Sequence, residues 1–183
     1  MSKLKKTSGV IGCLVASVLA VVAGTNPDLK TSPDGLAFIS DLEGCSSSAY
    51  QCSADRWTAG LGHTKGVKQG DKVTTETIAD WYIEDISAAE KVVNRQVKLP
   101  AGPQYDMAVS FVFNLGAGNF RSSTYLKKLK SGQLTAACNE FPRWVFVNGK
   151  DCRIDSSHCA GIVKRRLAEQ KVCLHGYLGV LVY

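Results

Sequence analysis

The sequence predicts an α+β fold in which a small β element near the start is followed by a helical lobe. Apolar residues recur at helical spacing over 34–42 and 74–97, and again in the last third of the chain. Between them, the stretch 45–63 is short, aromatic and rich in glycine, as in a small sheet. With 45% hydrophobic and 21% charged residues, the composition is that of an ordinary globular protein. A body of about 150 residues can bury a sizeable core.

Glycine and proline divide the periodic segments, since neither residue suits the interior of a helix. Pro100 and Pro103 mark the break between two helices, and Gly116 and Gly118 close the second of them. In chain order the sequence predicts a helix over Asp34–Leu42, a hairpin or small sheet over 45–63 with alternation at Trp57–Leu61, helices over Thr74–Val97 and Gln104–Asn114, short helical pieces through Ala137, a loop or hairpin over 145–159 around Asn148-Gly149, a helix over Gly161–Leu174, and an apolar tail, Tyr177–Tyr183, that could form a strand.

The N-terminal segment combines three lysines within residues 1–8 with sixteen uncharged residues from Gly9 to Gly24. As a helix this run would be about 24 Å long, shorter than the roughly 30 Å hydrocarbon core of a bilayer. Half of it is Gly, Ala, Ser or Cys, so its insertion into a membrane would be only weakly favourable. The lysines predict a cytoplasmic N-terminus with the body of the protein on the other side.

Taken alone, this segment leaves three alternatives open. It could be a cleaved signal peptide with Val21-Val22-Ala23 as the small-residue site, a permanent anchor, or an uncleaved weak anchor that can leave the bilayer. The following residues contain Asn-Pro and Thr-Ser-Pro, which predict a linker. The predicted domains are therefore 1–24 for the membrane segment, 25–33 for the linker and 34–183 for the body.

The formal net charge is +6, but Lys3, Lys5 and Lys6 lie in the N-terminal tail. The remaining mild excess suits an anionic polymer such as cell wall, and equally an ordinary solvated surface. The sequence has no basic stripe interleaved with aromatic residues, so we expect no binding of nucleic acid. None of the seven cysteines forms a CxxC pair and the three histidines are scattered, so neither a metal site nor a cofactor is expected. Disulfides in an oxidising compartment are the expected use of the cysteines.

Glu43 is a candidate acid for the hydrolysis of a glycosidic bond. A glycosidase needs a carboxylic acid to protonate the leaving oxygen. It also needs a group on the opposite side of the bond that activates the attacking water or stabilises the transition state. Glu43 lies at a predicted helix end that leads into the β element. Partial desolvation over a cleft there would favour the protonated form that an acid catalyst needs. By itself, however, a glutamate at a helix end is more often a solvated side chain.

The spacing around Glu43 makes this assignment specific. Eight residues separate Glu43 from Cys52, and five more separate Cys52 from Thr58, which opens the run Thr-Ala-Gly-Leu-Gly-His ending at His63. This pattern resembles the active-site signature of the phage lysozyme family, glycoside hydrolase family 24, which has Glu, Asp and Thr at the same spacings before a Gly-x-Gly-His turn. Further similar motifs follow in the same order, within a resemblance that spans roughly 33–175: Ser110–Gly118, Arg143-Trp144 with Asn148-Gly149, and Gly161–Arg166 with Glu169.

The resemblance implies a lysozyme-like fold with a small β-sheet lobe and a helical lobe. It implies hydrolysis of the β-1,4 bond between N-acetylmuramic acid and N-acetylglucosamine of peptidoglycan, with Glu43 as general acid and Thr58 helping to position the attacking water. The other implied positions are His63 as a structural residue held by a carboxylate, Arg165 as an ion partner of Glu43, and Asn114 and Gly62 as residues that bind the substrate. The alternatives are a simple strand threonine at position 58, a surface arginine at 165 and a helix-capping asparagine at 114.

Cys52 departs from the family, which usually has Asp at this position. A thiol in ordinary surroundings is mostly neutral at pH 7. Cys52 could act as a nucleophile, as a group that orients water or as a thiolate base, and Asp55 could contribute a carboxylate instead. The departure leaves open whether the reaction inverts or retains the configuration of the sugar.

The order and position of Cys13, Cys45 and Cys52 resemble those of signal-anchor-release endolysins, in which a cysteine of the released anchor exchanges disulfides and frees a catalytic cysteine. The resemblance implies a Cys45–Cys52 bridge while Cys13 is in the bilayer, and attack of Cys13 on Cys45 after release. This context favours the releasable anchor among the three alternatives.

In shorter relatives, cysteines similar to Cys138 and Cys173 occur as a pair, and the segment with Cys152 and Cys159 is absent. This implies Cys138–Cys173 and Cys152–Cys159 bridges, among the three connectivities that four cysteines allow. The expected partners of the monomer are peptidoglycan and, before release, the inner membrane, with the catalytic domain in the periplasm. The alternatives are a secreted, unregulated lysozyme and a non-catalytic protein that binds the cell wall.

Overall fold

The computed structural model describes residues 13–51, 56–154 and 159–178 of the chain. It confirms the α+β class, with a two-stranded β lobe near the start and a helical lobe after it. In chain order the elements are α1 Val15–Thr25, α2 Pro33–Glu43, β1 Ser46–Gln51, β2 Trp57–Gly60, α3 Thr75–Gln96, α4 Pro103–Ser122, α5 Thr124–Lys130, α6 Leu134–Cys138, a 3-10 helix Phe141–Arg143, β3 Phe146–Val147, β4 Lys150–Asp151 and α7 Ala160–His175.

Helix α2 carries the candidate acid at its C-terminal end. The helix begins at Pro33, where the side chain of Ser32 accepts a hydrogen bond from the backbone N–H of Gly35. It ends at Glu43 because Gly44 adopts a φ of 70°, a value that suits glycine. The hydroxyl of Tyr82 on α3 donates to the carbonyl of Leu36, at 2.7 Å, and ties α2 to the central helix.

Helix α4 differs from the expectation that it ends at Asn114. The structure continues it to Ser122 through a kink at Gly116, whose φ of 82° and ψ of 162° are not helical. Glycine at this position turns the chain without ending the helical segment, since residues on both sides keep helical structure. The residues after the kink contribute Phe120 to the core, where it packs beside Phe111 and Tyr125. Gly116 therefore interrupts the regular helix but, contrary to the expectation, does not end the helical segment.

The core is centred on the packing of α3 against α4, to which α7 adds its buried face. Fully buried side chains of both central helices meet there, among them Ile86 and Val93 of α3 and Met107 and Phe111 of α4. An aromatic cluster extends this core towards the C-terminal half of the chain: Phe111, Phe120, Tyr125, Phe141 and Trp144. Rings at these separations pack in edge or tilted arrangements and add to the stabilisation from burial.

The segment predicted as a membrane anchor contributes α1, which packs against α3 and α2. Val18 and Val22 on one face of α1 are completely or almost completely buried. Within the described residues, no helix has both the length and the apolar character needed to cross a membrane. Residues 1–12, the first part of the predicted anchor, lie outside the described residues.

The segment between α1 and α2, predicted as a linker, is held in place by two buried carboxylates. The backbone N–H and the hydroxyl of Thr31 both donate to Glu90 Oε1, each at 2.6 Å. The backbone N–H and the hydroxyl of Ser32 donate to Asp106, at 3.0 and 2.5 Å. Tyr177, at the start of the apolar tail, donates its hydroxyl to the same Asp106 at 2.6 Å. Residues 179–183 of the tail lie outside the described residues, and Tyr177 itself is not in a strand.

The packing of α1 predicts that Val18→Ala destabilises the folded protein by about 2 kcal/mol, because a fully buried side chain loses its contacts. Leu14→Ala is the matched control: this apolar side chain is 67% exposed, and its truncation should cost less than about 0.5 kcal/mol. Denaturant unfolding of the two variants measures the difference. Equal destabilisation would show that α1 does not pack as described.

Candidate active site

Glu43 lies at the junction between the helical lobe and the β lobe. Its side chain is 17% exposed, so its carboxyl group is largely shielded but reaches the surface. The Nη1 of Arg165 donates to Glu43 Oε1 at 2.5 Å and thereby joins α7 to the end of α2. The structure thus brings together two of the residues that the resemblance implies for the site.

Arg165 is itself buried and lies between two carboxylates. Its side chain is 6% exposed, and its Nε donates to Glu169 Oε1 at 3.2 Å, one helical turn further along α7. Burial alone would lower the pKa of the guanidinium, but the charges of Glu43 and Glu169 raise it above its ordinary value. Arg165 therefore keeps its positive charge beside the candidate acid.

Glu169 is fully buried and has three partners. It accepts a hydrogen bond from the hydroxyl of Ser110 on α4 at 2.7 Å, contacts Arg165, and lies 2.8 Å from Nη1 of Arg166 in an ion pair. Arg166 is buried too, and burial lowers the pKa of its guanidinium. Its Nη2 donates to the side-chain oxygen of Asn114, the residue expected in the sugar cleft. Two glutamates and two arginines form one cluster that is neutral when all four are ionised.

The β lobe places Thr58 on the inner strand of a hairpin. Strands β1 and β2 are antiparallel, and Thr58 lies opposite Tyr50 in their register. The side chain of Thr58 is buried, and its hydroxyl donates to the carbonyl of Arg56 at 3.2 Å. Cys52 and Asp55, the two candidates for the group opposite Glu43, lie outside the described residues.

The turn after β2 brings the β lobe next to Glu43. Ala59 and His63 exchange both of their backbone hydrogen bonds, each at 3.0 Å, and close the Gly-x-Gly-His turn. Gly62 within it has a φ of 88°, and a Cβ at this position would lie 3.3 Å from Glu43 Oε2. Glycine therefore suits both the backbone conformation and the close approach of the carboxylate.

His63 holds this turn on helix α3. Its Nδ1 lies 2.7 Å from a carboxylate oxygen of Asp85, and its Nε2 lies 3.0 Å from the carbonyl of Lys65. Its ring is stacked on Trp81 with the centroids 4.5 Å apart. Because both ring nitrogens have partners, this environment suits a structural histidine rather than a proton shuttle.

Three disulfides are present in the described residues. Cys13 is bonded to Cys45, two residues after Glu43, with their Cα atoms 5.3 Å apart. The other two bridges are Cys138–Cys173, which joins α6 to α7, and Cys152–Cys159, which joins the residue after β4 to the residue before α7. Because Cys45 is bonded to Cys13, the same molecule cannot contain a Cys45–Cys52 bridge.

Sequence reasoning assigned no role to two residues that complete these contacts. Glu169 was noted only as part of a motif, although its spacing of four and three residues from Arg165 and Arg166 places all three near one face of a helix. Asp85, the partner of His63, is 22 residues away in sequence and no local pattern indicates the pair. Among the described residues, no group of three or more His, Cys, Asp or Glu side chains could hold a metal ion.

The close approach at Gly62 predicts that Gly62→Ala is more destabilising than Gly66→Ala. Both glycines have positive φ, so both alanines carry a backbone cost of about 1 kcal/mol. Only the Cβ at position 62 meets the carboxylate of Glu43, since nothing lies within 4 Å at Gly66. In a Glu43→Ala background the two substitutions should cost the same, which unfolding experiments can measure as a double-mutant cycle. A difference that persists in that background would contradict the contact.

Comparison with known proteins agrees with the fold. An endolysin of Acyrthosiphon pisum secondary endosymbiont phage 1 is 42% identical over 145 residues, which cover 78% of this chain and 96% of that protein. A SAR-endolysin of Escherichia phage P1 is 30% identical over 179 residues, which cover 90% of this chain and 91% of the relative.

The crystal structure of the active form of the P1 phage endolysin Lyz superposes with a TM-score of 0.78 at 28% identity, covering 91% of this chain and 97% of the other. This similarity confirms the lysozyme-like fold. Residues 40–169, from the second half of α2 to Glu169, match the sequence profile of phage lysozymes. The chain belongs to the phage lysozyme family and is a glycoside hydrolase.

Proposed function

We propose that this chain is an endolysin that hydrolyses the β-1,4 bond between N-acetylmuramic acid and N-acetylglucosamine in peptidoglycan, with Glu43 as the general acid. The observation that carries the proposal is the position of Glu43, partly buried between two lobes and fixed by Arg165. The names endolysin and SAR-endolysin of the relatives are consistent with this substrate. The reaction needs a proton on the leaving oxygen, which a partly desolvated carboxyl group can supply.

The two oxygens of Glu43 have different surroundings, which suggests a division of roles. Oε1 accepts the hydrogen bond from Arg165 and fixes the orientation of the carboxyl group. Oε2 lies beside Gly62, on the side of the turn that reaches the β lobe. Oε2 is therefore the oxygen that we expect to carry the proton towards the glycosidic bond.

The water that completes hydrolysis would attack from the side of the β lobe. Thr58 is our candidate for positioning this water, and Cys52 our candidate for activating it or stabilising the developing charge. Asn114 and Gly62 are proposed to bind the sugar. The carbonyl oxygen of the Asn114 side chain accepts from Arg166, which would orient its amide group as a donor to a sugar hydroxyl.

The role of Glu43 as the acid predicts that its substitution causes a clear loss of activity. Glu43→Gln should lower the rate of cell-wall hydrolysis about a thousandfold, because the amide cannot donate the proton. Glu76→Gln is the matched control, since it makes the same change in an exposed glutamate in the first turn of α3. Turbidity clearance of purified cell walls compares both with the parent. Unchanged activity in a folded Glu43→Gln protein would exclude Glu43 as the acid.

We further propose that the enzyme is inactive while its N-terminal segment is in the inner membrane, and active as a periplasmic monomer after release. In the released form α1 packs on α3, and Cys13 reaches Cys45 at the start of β1. While α1 is in the bilayer, Cys13 cannot reach Cys45, and Cys45 is then available to Cys52. A Cys45–Cys52 bridge would block the active-site thiol.

The change between the two states is a thiol–disulfide exchange that needs no external oxidant. The thiolate of Cys13 attacks the sulfur of Cys45, the Cys45–Cys52 bond breaks, and Cys52 leaves as a thiolate that can take up a proton. One disulfide is lost and one is formed. The Cys13–Cys45 bridge then ties the N-terminal segment to Cys45, two residues after Glu43 in the sequence. It also prevents the inhibitory Cys45–Cys52 bridge from re-forming.

The exchange predicts different phenotypes for the three cysteines. Cys52→Ser should have little or no activity, Cys45→Ser should be active before release, and Cys13→Ser should stay inactive unless reductant is added. The double variant Cys152→Ser/Cys159→Ser removes a bridge that shares no cysteine with the exchange and should keep the regulation of the parent. Lysis assays with and without reductant distinguish these outcomes. A normally folded but inactive Cys45→Ser protein would contradict the exchange.

A further inference from the structure

We infer that Glu169 is a positioning residue that keeps Glu43 able to carry its proton, and that it acts through Arg165. This role rests on the proposed function of Glu43 as the general acid and explains how an acid can work beside an arginine. Glu169 is not expected to touch the substrate, since it is completely buried beneath the arginines of α7.

The contact between Arg165 and Glu43 creates a conflict for catalysis. A guanidinium 2.5 Å from a carboxyl oxygen favours the ionised carboxylate, whereas a general acid must be protonated when it reacts. The conflict is increased by Arg166, the next residue of α7, whose charge is buried in the same cluster. Without a compensating negative charge, the two arginines of this cluster would oppose the protonated form that the acid needs.

Glu169 supplies that charge and is held so that it faces both arginines. Its Oε1 accepts from the Nε of Arg165 and its Oε2 is paired with Arg166. The hydroxyl of Ser110 fixes the carboxylate from α4. A fully buried carboxylate is costly unless it is paired, so the two arginines and Glu169 stabilise each other.

Arg165 also receives its orientation from Glu169. The Nε and Nη1 atoms of a guanidinium lie in one plane, and here they donate to two different carboxylates, Glu169 and Glu43. Because Glu169 fixes one end of the group, the other end is directed at Oε1 of the acid. The same residue therefore sets both the geometry and the charge around Glu43.

The net charge near Glu43 depends directly on Glu169. Two arginines and Glu169 leave one positive charge, and removal of Glu169 would leave two. Among the described residues, Tyr82 on α3 is a further titratable group that interacts with Glu43, and Asp41, on the same helix as Glu43, acts on Tyr82 as well. Burial, followed by the charge of Glu43, raises the pKa of Tyr82, so this hydroxyl stays neutral. Cys52 and Asp55 lie outside the described residues, and both are present in every variant below.

The pH dependence of cell-wall hydrolysis by the released protein tests the role of Glu169. In Glu169→Gln the second positive charge is no longer offset, so Glu43 should lose its proton more readily. The alkaline limb of the activity profile should then move about one pH unit lower. Arg166→Gln removes one positive charge instead and should move the same limb in the opposite direction.

Glu90→Gln is the matched control, because it neutralises another buried glutamate that holds Thr31 rather than an arginine. It should lower the melting temperature but leave the pH profile in place. A purely structural role for Glu169 predicts that Glu169→Gln behaves in the same way. Opposite shifts in the Glu169 and Arg166 variants, with none in the control, support the inference.

Failure of this inference differs from failure of the proposed function. If the parent hydrolyses cell wall and Glu43→Gln does not, the proposed function stands, and unshifted profiles in both cluster variants then overturn the role of Glu169. If the parent itself is inactive, the proposed function fails first. If Glu169→Gln does not fold, the Arg166→Gln variant tests the inference alone. A shift of its alkaline limb to higher pH supports control of Glu43 by the charge of the cluster, and an unshifted limb or a shift to lower pH overturns it.

Discussion

The ion pair between Arg165 and Glu43 is the contact on which the site depends. It joins residues 122 positions apart and links α7 to the last residue of α2, just before the β lobe. Because α7 is fixed to α4 through Glu169 and Ser110, the position of the carboxyl group follows from the packing of the core. A partly buried carboxylate without a partner would raise the free energy of the folded state, and the pairing of Glu43 with Arg165 offsets this cost.

Two other buried carboxylates fix the chain on the N-terminal side of α2. Glu90 and Asp106 accept hydrogen bonds from the backbone and side chains of Thr31 and Ser32, and so fix the chain just before α2 begins. The position of α2 is therefore set at its start by these contacts and at its end by Arg165. We expect this anchoring to let α1 change its environment without disturbing Glu43, since the anchored residues lie between them.

The sequence predicted most elements within one or two residues, because periodicity and Gly or Pro breaks report local structure. It was less accurate at Gly116, where a glycine kinks α4 but the helix continues to Ser122. The position of Glu43 at a helix end followed from local signals, and its candidate role followed from its spacing to Cys52 and Thr58. Asp85 could not be assigned in this way, since its pairing with His63 depends on how separate segments pack. Glu169 carries a local signal in its spacing from Arg165 and Arg166, but its contact with Ser110 depends on the packing of α7 on α4.

The central proposal is that the enzyme hydrolyses the bond on the reducing side of N-acetylmuramic acid. Analysis of the fragments released from purified peptidoglycan, after borohydride reduction, tests this most directly. We predict new reducing ends that are N-acetylmuramic acid and appear as muramitol, and none of them with Glu43→Gln. Anhydro sugar ends, reducing N-acetylglucosamine ends, or free peptide amines without new sugar ends would contradict the account.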